Sequence, residues 1–355
     1  MNRDTLTRIL NLARWTPSGD NTQVWRFAFV GDSAVRVHGF DTRDRILYDF
    51  DGHASHIAHG ALLETMRVAA SGFGLATSWV ATSEGEHRNP IYDVRFAEDP
   101  AIAQDPLFGC IETRVVQRRP METTPLTDQQ RDALIASAGD DFTVQLFESP
   151  SERRKVAGLL WDSAKIRLTC PEAFPVHQEI IEWRAQFSKD KIPEQAVGVD
   201  PATARLMEWV MKSWGRVRFL NRYLMGTIPP RIQLDLLPAL FCAAHLLVQP
   251  KKTPTSLEDW VQLGIIWQRI WLTVTHQGLH LQPEMTPVIF RWYARAGRRF
   301  SAEPEMFDMA LKLSDYFERI ANATPGDNFG FLARVGTSPV PRSRSIRLDL
   351  VDLMK

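Results

Sequence analysis

The segment Gly60-Ala-Leu-Leu-Glu-Thr-Met-Arg-Val-Ala-Ala-Ser-Gly-Phe-Gly74-Leu75 decides the fold, because a later segment repeats its pattern. The second copy is Gly264-Ile-Ile-Trp-Gln-Arg-Ile-Trp-Leu-Thr-Val-Thr-His-Gln-Gly278-Leu279. Both copies begin with glycine, continue with apolar residues at helical spacing and end in Gly-Leu. The offset is 204 residues at either end (264 − 60 and 278 − 74). A chain that repeats its core helix can build within one polypeptide what other proteins build as a homodimer, including a pocket at the seam.

The composition is that of a globular protein without a strong charge. The 355 residues suffice for two units that share a core, and 44% hydrophobic with 24% charged residues are ordinary values. Lys+Arg and Asp+Glu both number 42, so the net charge is zero. We therefore expect neither a nucleic-acid partner nor a membrane partner from overall charge, although local basic clusters exist.

The cysteines and the N-terminus indicate a cytoplasmic protein. Cys110, Cys170 and Cys242 are far apart and form no CxxC motif, so neither a zinc ribbon nor a disulfide framework is expected. The first eight residues lack the apolar stretch of a signal peptide. The longest apolar run, 236–248, is too short to span a bilayer.

Periodicity predicts two units of alternating helices and strands, which makes the fold α+β. In the first unit, residues 1–105, we predict a helix at 4–15, a hairpin at 25–30 and 34–39, the first repeated helix, and strands at 76–81 and 91–96. In the second unit, residues 106–355, we predict a short helix ending at 113, a helix at 127–138, a strand at 142–148, a helical insertion at 151–236, a strand at 245–249, the second repeated helix at 256–277, a strand at 279–283, a helix at 304–321 and a strand at 328–335. A chance likeness of helix composition is the alternative interpretation of the repeat, since Gly-Leu endings are common C-caps.

The loop Pro17-Ser-Gly-Asp-Asn21-Thr-Gln23-Val-Trp25-Arg-Phe27 resembles the P-S-x-x-N-x-Q-P-W-x-F segment of the FMN-dependent nitroreductase family. The resemblance implies that Pro17 stiffens the loop, while Ser18, Asn21 and Gln23 offer hydrogen bonds to the flavin. Val24 stands where the family usually has proline. The alternative is a polar loop whose Asn and Ser side chains make local turn bonds.

Two basic segments resemble the parts of that family that hold the FMN phosphate. In Glu112–Met121, Arg114 and Arg118 fall on the basic positions of R-x-S-x-R/K-x-F, and Val116 replaces the usual Ser or Thr. Near the end, Arg334-Val-Gly336 followed by Arg342-Ser-Arg344 resembles the family's closing strand and basic tail. The resemblance implies that Arg114, Arg118, Arg342 and Arg344 bind phosphate, for which guanidinium forks are suited. Arginines on a solvated surface are the alternative.

The segment from Gly278 to Met285 resembles the family's strand that passes the isoalloxazine ring. The resemblance implies that Pro283, Glu284 and Met285 lie at the ring and that a backbone N–H there faces the flavin N5. On this interpretation the side chains at 284 and 285 matter less than the backbone.

The parts of the implied site are divided unequally between the halves, so we predict one FMN per chain. The first half supplies the loop at 17–25, and the second supplies the arginines and residues 283–285. A reciprocal site would need an R-x-S-x-R segment before Asp4 and a PSxxN loop near 137–143, and neither is present. By the 204 offset, Trp79 stands where Pro283 does and is expected to fill the second position.

The insertion at 151–236 is not explained by the resemblance. We expect its aromatic and cationic side chains to form either a lid over the flavin or the core and rim of a helical subdomain. They are Trp183, Arg184, Trp209, Trp214, Arg216, Arg218, Arg222 and Tyr223.

Other constellations indicate structure rather than chemistry. His53, His56 and His59 have metal-like spacing, but a solvated or capping role is favoured because no Cys or carboxylate cluster accompanies them. Cys242 and His245 lie in an apolar run that is typical of a core strand. No dinucleotide-binding, P-loop, zincin, esterase or kinase signature occurs.

The sequence therefore predicts an α+β, nitroreductase-like three-layer fold, internally duplicated so that one chain mimics the family homodimer, with a helical insertion. The resemblance implies an FMN-binding oxidoreductase in which NAD(P)H is the hydride donor and a nitroaromatic, quinone or other small molecule is the acceptor. Two alternatives stay open: a protein of the same fold that sequesters FMN without turnover, and a specialised flavin-dependent dehydrogenase or oxidase. The chain is expected to be a monomer, or to form a homodimer.

Overall fold

The computed structural model describes residues 2–82 and 87–355 of the chain. The first half consists of the helices and strands α1 (Arg3–Ala13), β1 (Trp25–Phe29), β2 (Ala34–Gly39), α2 (His53–Ser71), β3 (Leu75–Ala81) and β4 (Ile91–Glu98). Its four strands form one antiparallel sheet in the order β1-β2-β4-β3.

Local sequence signals explain how these elements begin and pack. The side-chain oxygen of Asn2 accepts a hydrogen bond from the Thr5 N–H at 3.0 Å, which caps α1. Leu6, Ile9 and Leu10 recur at helical spacing and are buried in the core beneath the first sheet. In the strands the period is two residues instead, so that one face of the sheet is buried.

The second half starts with a helix and a strand and is then interrupted by the insertion. The first two elements are α3 (Asp128–Ala136) and β5 (Phe142–Phe147). The insertion contains α4 (Pro150–Thr169), α5 (Ala173–Glu179), β6 (Ile181–Glu182), β7 (Phe187–Ser188), β8 (Ile192–Pro193), α6 (Pro201–Val210), α7 (Trp214–Tyr223), α8 (Ile228–Arg231), a π-helical turn (Ile232–Leu236) and α9 (Leu237–Leu240). The remaining elements are β9 (Ala244–Pro250), α10 (Leu257–His276), β10 (His280–Pro283), α11 (Thr286–Arg295), α12 (Pro304–Ala321), β11 (Phe331–Gly336), β12 (Arg344–Ser345) and α13 (Leu350–Leu353).

The two halves share one topology. The succession α1-β1-β2-α2-β3-β4 is matched by α3-β5-β9-α10-β10-β11, and the second sheet has the corresponding order β5-β9-β11-β10. Relative to the first half, the insertion is added between β5 and β9, and α11 with α12 is added between β10 and β11. The fold is thus α+β and internally duplicated, as the repeated helix predicted.

The repeated helices α2 and α10 cross in direct backbone contact at their glycines. A Cβ on Gly60 would lie 1.9 Å from the Val261 carbonyl oxygen, and a Cβ on Gly264 would lie 2.0 Å from that of Ile57. The four residues obey the repeat offset (57 + 204 = 261 and 60 + 204 = 264). Contacts that map onto each other in this way are those of a two-fold interface.

Polar contacts one turn further along the helices obey the same relation. Arg269 Nη1 donates to Glu64 Oε1 at 2.7 Å, and Gln268 Nε2 donates to Thr65 Oγ1 at 3.0 Å. Positions 64 and 65 correspond to 268 and 269 by the offset. Because these groups are largely buried, their pairing fixes the register of the two helices.

The cores of the two halves interlock through this crossing. Val261 and Ile265 of α10 pack in the core of the first sheet, and Ile57 of α2 packs in the core of the second. The crossed helices therefore belong to both cores. No helix within residues 2–82 and 87–355 combines the length and apolar character needed to cross a bilayer.

Three predicted segments differ from the structure. The short helix expected to end at residue 113 is a single 3₁₀ turn at Phe108–Cys110. Helix α11 was not predicted, because residues 287–294 are all buried and leave no polar face to reveal the helical period. The insertion holds the short strands β6–β8 besides its helices, and two-residue strands give no periodic signal.

Candidate functional site

A cavity of about 440 Å³ lies where the two halves and the insertion meet. Helix α2 contributes Ile57, Ala58 and Ala61 to its wall, and α10 contributes Trp267 and Trp271. Small-molecule sites typically measure roughly 300–1,000 Å³ and are mainly apolar. The seam of the duplicated fold therefore contains a cavity of the size and character of a ligand site.

The structure brings most of the predicted site residues to this cavity from distant parts of the chain. Those that line it are Pro17, Ser18, Asn21, Arg114, Val116, Arg118, Pro283, Glu284 and Met285. Arg344 lines an adjoining recess instead, while Gln23 and Arg342 line neither. The segment 114–118 is held in place by a bridge between Val116 and Leu281 of β10.

The loop side chains Asn21 and Gln23 hold other parts of the chain rather than pointing only into the cavity. Asn21 Nδ2 donates to the Lys189 carbonyl at 3.1 Å and to the Ile346 carbonyl at 3.2 Å. Gln23 Nε2 donates to Lys189 at 2.9 Å, and its Oε1 accepts from the Leu348 N–H at 2.9 Å. Of these two side chains, Asn21 keeps one buried oxygen, Oδ1, without a hydrogen-bond partner among the described residues. Gln23 is thus a bridge to the insertion and the C-terminal segment, which corrects its predicted place at the flavin.

Four arginines gather at one end of the cavity. Arg114, Arg118, Arg344 and Arg347 line a recess of about 30 Å³ that adjoins the main space. Their hydrogen bonds go to backbone carbonyls; Arg114 Nη2, for example, donates to Trp15 at 2.7 Å. None of the four forms an ion pair with a carboxylate in the part of the chain that the structure describes. The cluster is therefore a concentration of positive charge. Asp20 acts electrostatically on Arg118, and Glu112 acts on Arg344, but neither carboxylate forms an ion pair with its arginine.

Burial disfavours the charged form of these arginines, as their lowered pKa values show. Burial, with repulsion from Arg347 and Arg344, lowers the pKa of Arg114 well below its usual value. Burial, with repulsion from Arg344, lowers the pKa of Arg347 to about 9. Burial outweighs the neighbouring Asp20 carboxylate and lowers the pKa of Arg118 to about 10. A bound anion would relieve this cost, because it favours the charged form of each guanidinium.

The tail arginines differ from the prediction. Arg342 is exposed, and its carbonyl accepts a hydrogen bond from Gln186 Nε2 of the insertion at 3.0 Å. Arg347, which was not predicted, is buried and lines both the cavity and the recess. The family pattern could not locate it, because Arg347 lies three residues beyond the basic pair Arg342 and Arg344 that carries the resemblance.

The strand end at 283–285 passes the cavity, and Pro283, Glu284 and Met285 all line it. The Glu284 N–H donates to the Leu332 carbonyl at 2.8 Å and is therefore engaged within the sheet. The Glu284 side chain, expected to matter less than the backbone, is buried: its Oε2 lies 2.7 Å from His245 Nδ1, and its Oε1 lies 3.2 Å from Arg334 Nη1. Arg334 Nη2 in turn donates to the Arg118 carbonyl at 2.8 Å.

This buried network links the cavity wall to the end of the insertion. His245 Nε2 lies 3.0 Å from the Ala239 carbonyl oxygen and 3.6 Å from Cys242 Sγ. Burial opposes a charged imidazole, but Cys242 and Glu284 outweigh it and raise the pKa of His245 to about 10. Burial likewise opposes ionisation of Glu284, yet His245 and Arg334 hold the pKa of this carboxyl below its usual value. Cys242 and His245 are buried, as the apolar run predicted, and the network is a structural ion cluster beside the site.

The insertion covers the cavity with aliphatic rather than aromatic side chains. Ile180, Ile192, Met207, Met211 and Leu234 line the cavity from this side. None of the predicted lid aromatics and cations lines it; these are Trp183, Arg184, Trp209, Trp214, Arg216, Arg218, Arg222 and Tyr223. The insertion thus lies over the cavity, as a lid would, but the eight predicted aromatic and cationic side chains are not part of the cavity wall.

Two polar pairs interrupt the apolar cover. Tyr48 Oη and His177 Nε2 share a hydrogen bond of 2.8 Å, and Arg167 Nη2 donates to both oxygens of Asp235 at 2.8–2.9 Å. Burial, with the charge of Arg167, lowers the pKa of His177 to about 3. Burial also raises the pKa of Tyr48, so both partners of this pair are neutral near neutral pH. Asp235 lies in the π-helical turn, an irregularity often found at functional sites.

The histidines at the start of α2 have structural roles. His53 stacks on Trp260 with ring centroids 3.6 Å apart, and His59 Nε2 lies 2.8 Å from the Val24 carbonyl oxygen. His56 and His59 are buried, so the predicted solvated role is wrong for them. Within the described ranges, no three His, Cys, Asp or Glu side chains form a metal-binding group.

Comparisons with solved structures find nitroreductase-like proteins, several of them described as FMN-dependent or FMN-bound. The chain is similar to a nitroreductase with bound FMN from Desulfitobacterium hafniense, at a TM-score of 0.40 and 12% identity over 71% of this chain and 97% of that chain. It is similar to the FMN-dependent nitroreductase NfnB from Mycobacterium smegmatis, solved with NADPH, at a TM-score of 0.37 and 12% identity over 70% and 97% of the two chains. For a nitroreductase-like protein from Bacillus cereus the TM-score is 0.36, with 10% identity over 70% and 94%. No family model and no curated protein matches the sequence.

Proposed function

We propose that this chain is an FMN-binding oxidoreductase of the nitroreductase type, with one flavin held at the seam of its two halves. The observation that carries the proposal is the cluster of four arginines at one end of a mainly apolar cavity, none of them ion-paired with a carboxylate of the described residues. A phosphate monoester carries a charge of about −1.5 to −2 near neutral pH, and guanidinium groups bind it through charge-assisted, bidentate hydrogen bonds. Arg114, Arg118, Arg344 and Arg347 would hold the phosphate of FMN.

The rest of the cavity fits the other parts of the cofactor. Trp267, Trp271 and Ala61 give an apolar wall for a planar ring system, and Arg114 already lies 4.5 Å above the Trp271 ring. The side-chain oxygens of Asn21 and Gln282 are buried without partners among the residues that the structure describes, and they could accept hydrogen bonds from ribityl hydroxyls or the ring edge. Bound flavin would supply the hydride chemistry, so the protein's task is to position the reactants and to exclude water.

The side chains that cover the cavity determine how the protein itself would interact with a substrate. The aliphatic side chains of the insertion keep water away, which strengthens every polar interaction inside the cavity. Tyr48 and His177 can hydrogen-bond a carbonyl or nitro oxygen without placing a charge beside it. We infer that the donor is NAD(P)H and the acceptor a nitroaromatic, quinone or other small molecule. The three cysteines are free, which fits a cytoplasmic setting.

The same cover favours a second candidate function. An insertion that closes over the flavin would suit a protein that sequesters FMN without turnover, or a specialised dehydrogenase or oxidase whose substrate displaces the cover. Both alternatives use the same cofactor site. They differ from the first candidate in whether the flavin is reduced in turnover and in which molecule reduces it.

Anaerobic reduction distinguishes these candidates. We expect NADPH or NADH to bleach the flavin band of the purified protein, and a nitroaromatic or quinone acceptor to restore it. A flavin that resists both nicotinamides but is reduced by dithionite would contradict the NAD(P)H oxidoreductase and favour sequestration or a specialised oxidation. A protein that neither contains nor binds FMN would overturn the proposal as a whole.

A further inference from the structure

The outer side of the insertion exposes an unusual density of large apolar side chains. In α6 and α7 and the turn that follows, Trp209, Phe219 and Tyr223 are 49%, 54% and 63% exposed, and Met225 is 73% exposed. Soluble proteins rarely expose contiguous apolar patches of this kind unless the patch binds something. The outward side chains of residues 205–225 are called the 205–225 face below.

The exposed residues form one continuous surface. The guanidinium of Arg216 lies 4.6 Å above the Trp209 ring, which joins α7 to α6. Further along α7, the rings of Phe219 and Tyr223 are 5.2 Å apart, and Arg222 lies 5.6 Å from the Tyr223 ring. Residues three and four apart share one side of a helix, so Arg216, Phe219 and Tyr223 project together.

The opposite sides of these helices are the ones that pack on the protein. Val217 is buried, and Asn221 Nδ2 donates to the Leu168 carbonyl at 3.0 Å. On α6, Met207 and Met211 line the cavity. The 205–225 face is therefore not used in folding, and it forms the outer surface of the cavity's cover.

The charge of this face is strongly positive. Its cations are Arg205, Lys212, Arg216, Arg218 and Arg222. None of them forms an ion pair with a carboxylate of the described residues, and Glu208 is already paired with Arg184 at 3.1 Å. A chain whose net charge is zero thus concentrates unpaired positive charge among exposed aromatic rings.

We propose that the 205–225 face binds the surface of an anionic lipid bilayer. Aromatic rings with a polar edge insert at the depth of lipid headgroups, while Lys and Arg on long stems reach the phosphates. Each basic residue near an anionic leaflet contributes about 1 kcal/mol, which is about fivefold in affinity. A second copy of the chain is a poorer occupant, because two-fold pairing of this face would oppose cation to cation. Binding places the cover of the cavity, through α6, at the bilayer surface.

Vesicle flotation of the full chain tests this proposal. We expect the protein to float with vesicles of phosphatidylcholine and phosphatidylglycerol at low salt, to float weakly or not at all with phosphatidylcholine alone, and to be released by high salt. Arg218→Gln with Arg222→Gln should weaken binding by about fivefold for each charge removed. Phe219→Ser with Tyr223→Ser should weaken it further while leaving the melting temperature unchanged, since both side chains are exposed.

Matched substitutions elsewhere on the surface serve as controls. Arg154→Gln with Arg299→Gln removes two exposed arginines outside the face, and Val340→Ser with Val351→Ser removes two exposed apolar side chains. Both control proteins should bind vesicles like the unaltered chain. Absence of binding to anionic vesicles, equal binding to both vesicle types, or an equal loss in the controls would overturn the proposal. A dimer in sedimentation that dissociates only in the Phe219/Tyr223 variant, with no vesicle binding, would assign the face to a second copy instead.

Discussion

The two sides of the α2–α10 crossing have related backbones, but only one of them borders the cavity described above. On the cavity side α2 presents Ala58 and Ala61. By the 204 offset, the corresponding residues of α10 are Gln262 and Ile265, and Ile265 is buried in the first core. A duplicated backbone therefore creates two equivalent positions, and side-chain volume decides which of them holds space for a ligand.

The strands beside the two positions also differ, because only the strand at the cavity is joined to an arginine-bearing segment within the described ranges. Leu281 of β10 bridges to Val116, which brings Arg114 and Arg118 to the cavity. The corresponding residue of β3 is Thr77, and no bridge joins it to such a segment within the described ranges. Trp79, predicted to fill the second position, is partly buried and packs on the first core. The difference between the two positions therefore extends from the helices to the strands.

The largest expected effect comes from the part that the two halves share. Gly60→Ala and Gly264→Ala each place a Cβ against a backbone carbonyl that cannot move aside, so we expect each to lower the free energy of unfolding by more than about 3 kcal/mol. Urea unfolding measures the loss. Gly109→Ala is the control, since nothing lies within 4 Å of its added Cβ. A large loss at one glycine and none at the other would contradict the reciprocal crossing.

The second-largest expected effect comes from filling the cavity, which removes the difference between the two sides. Ala61→Ile gives the cavity side the residue of the opposite side, and we expect it to weaken FMN binding by about 3 kcal/mol because the side chain fills the space. Fluorescence titration of the apoprotein with FMN measures this change, and Ala61→Ser is the control of similar size. Unchanged FMN affinity in Ala61→Ile would mean that the flavin binds elsewhere.

The buried ion cluster of His245, Glu284 and Arg334 belongs to the cavity side of the crossing, and its contribution to stability can be measured. His245→Gln should cost about 3 kcal/mol of stability, since Glu284 loses a cationic partner. The pKa of folded His245 is raised to about 10 from 6.5, so its contribution is complete below pH 6.5 and is lost as the pH rises through about 10. Melting curves of both proteins across this range should converge at the alkaline end. The exposed His276→Gln should show no such convergence, and parallel curves for His245→Gln would refute the assignment.

The arginines test where the phosphate lies. Arg114→Ala and Arg347→Ala should each weaken FMN retention by about 1–3 kcal/mol through loss of charge-assisted bonds. Arg342→Ala serves as the matched control, because this tail arginine is exposed and lines neither space. Equilibrium dialysis gives the three affinities. If Arg342→Ala weakens FMN binding the most of the three, the phosphate lies at the exposed tail rather than in the recess.

The smallest effect concerns the loop. Asn21→Ala removes donors to the Lys189 and Ile346 carbonyls, so we expect a loss of about 1 kcal/mol in stability and faster proteolysis within the insertion. Its FMN affinity should fall as well, although the loop belongs to the half that lacks the arginines. Thr22→Ala, which removes only a local turn bond to Gly19, is the control. Equal proteolysis rates in the two variants would show that Asn21 does not hold the insertion.

The sequence predicted the parts of the fold that depend on local pattern. The repeated helices, the strands of the two four-stranded sheets and even the bounds of α12 follow from periodicity, capping residues and glycines. The arginines at 114 and 118 were found because the family motif keeps them in one short segment. Arg347, the Tyr48–His177 pair and the partners of Glu284 could not be found, since tertiary packing alone joins residues so far apart in the chain.

Counting the flavin tests the central claim most directly. The purified protein, reconstituted with excess FMN and freed of unbound cofactor, is denatured, and the released flavin is measured against the protein concentration. We predict a stoichiometry near one FMN per chain, because the Ala58/Ala61 side combines the cavity with the arginine cluster and the described residues of the other side offer no such cluster. A value near two would contradict the asymmetry of the two halves, and a value near zero would contradict the flavin site itself.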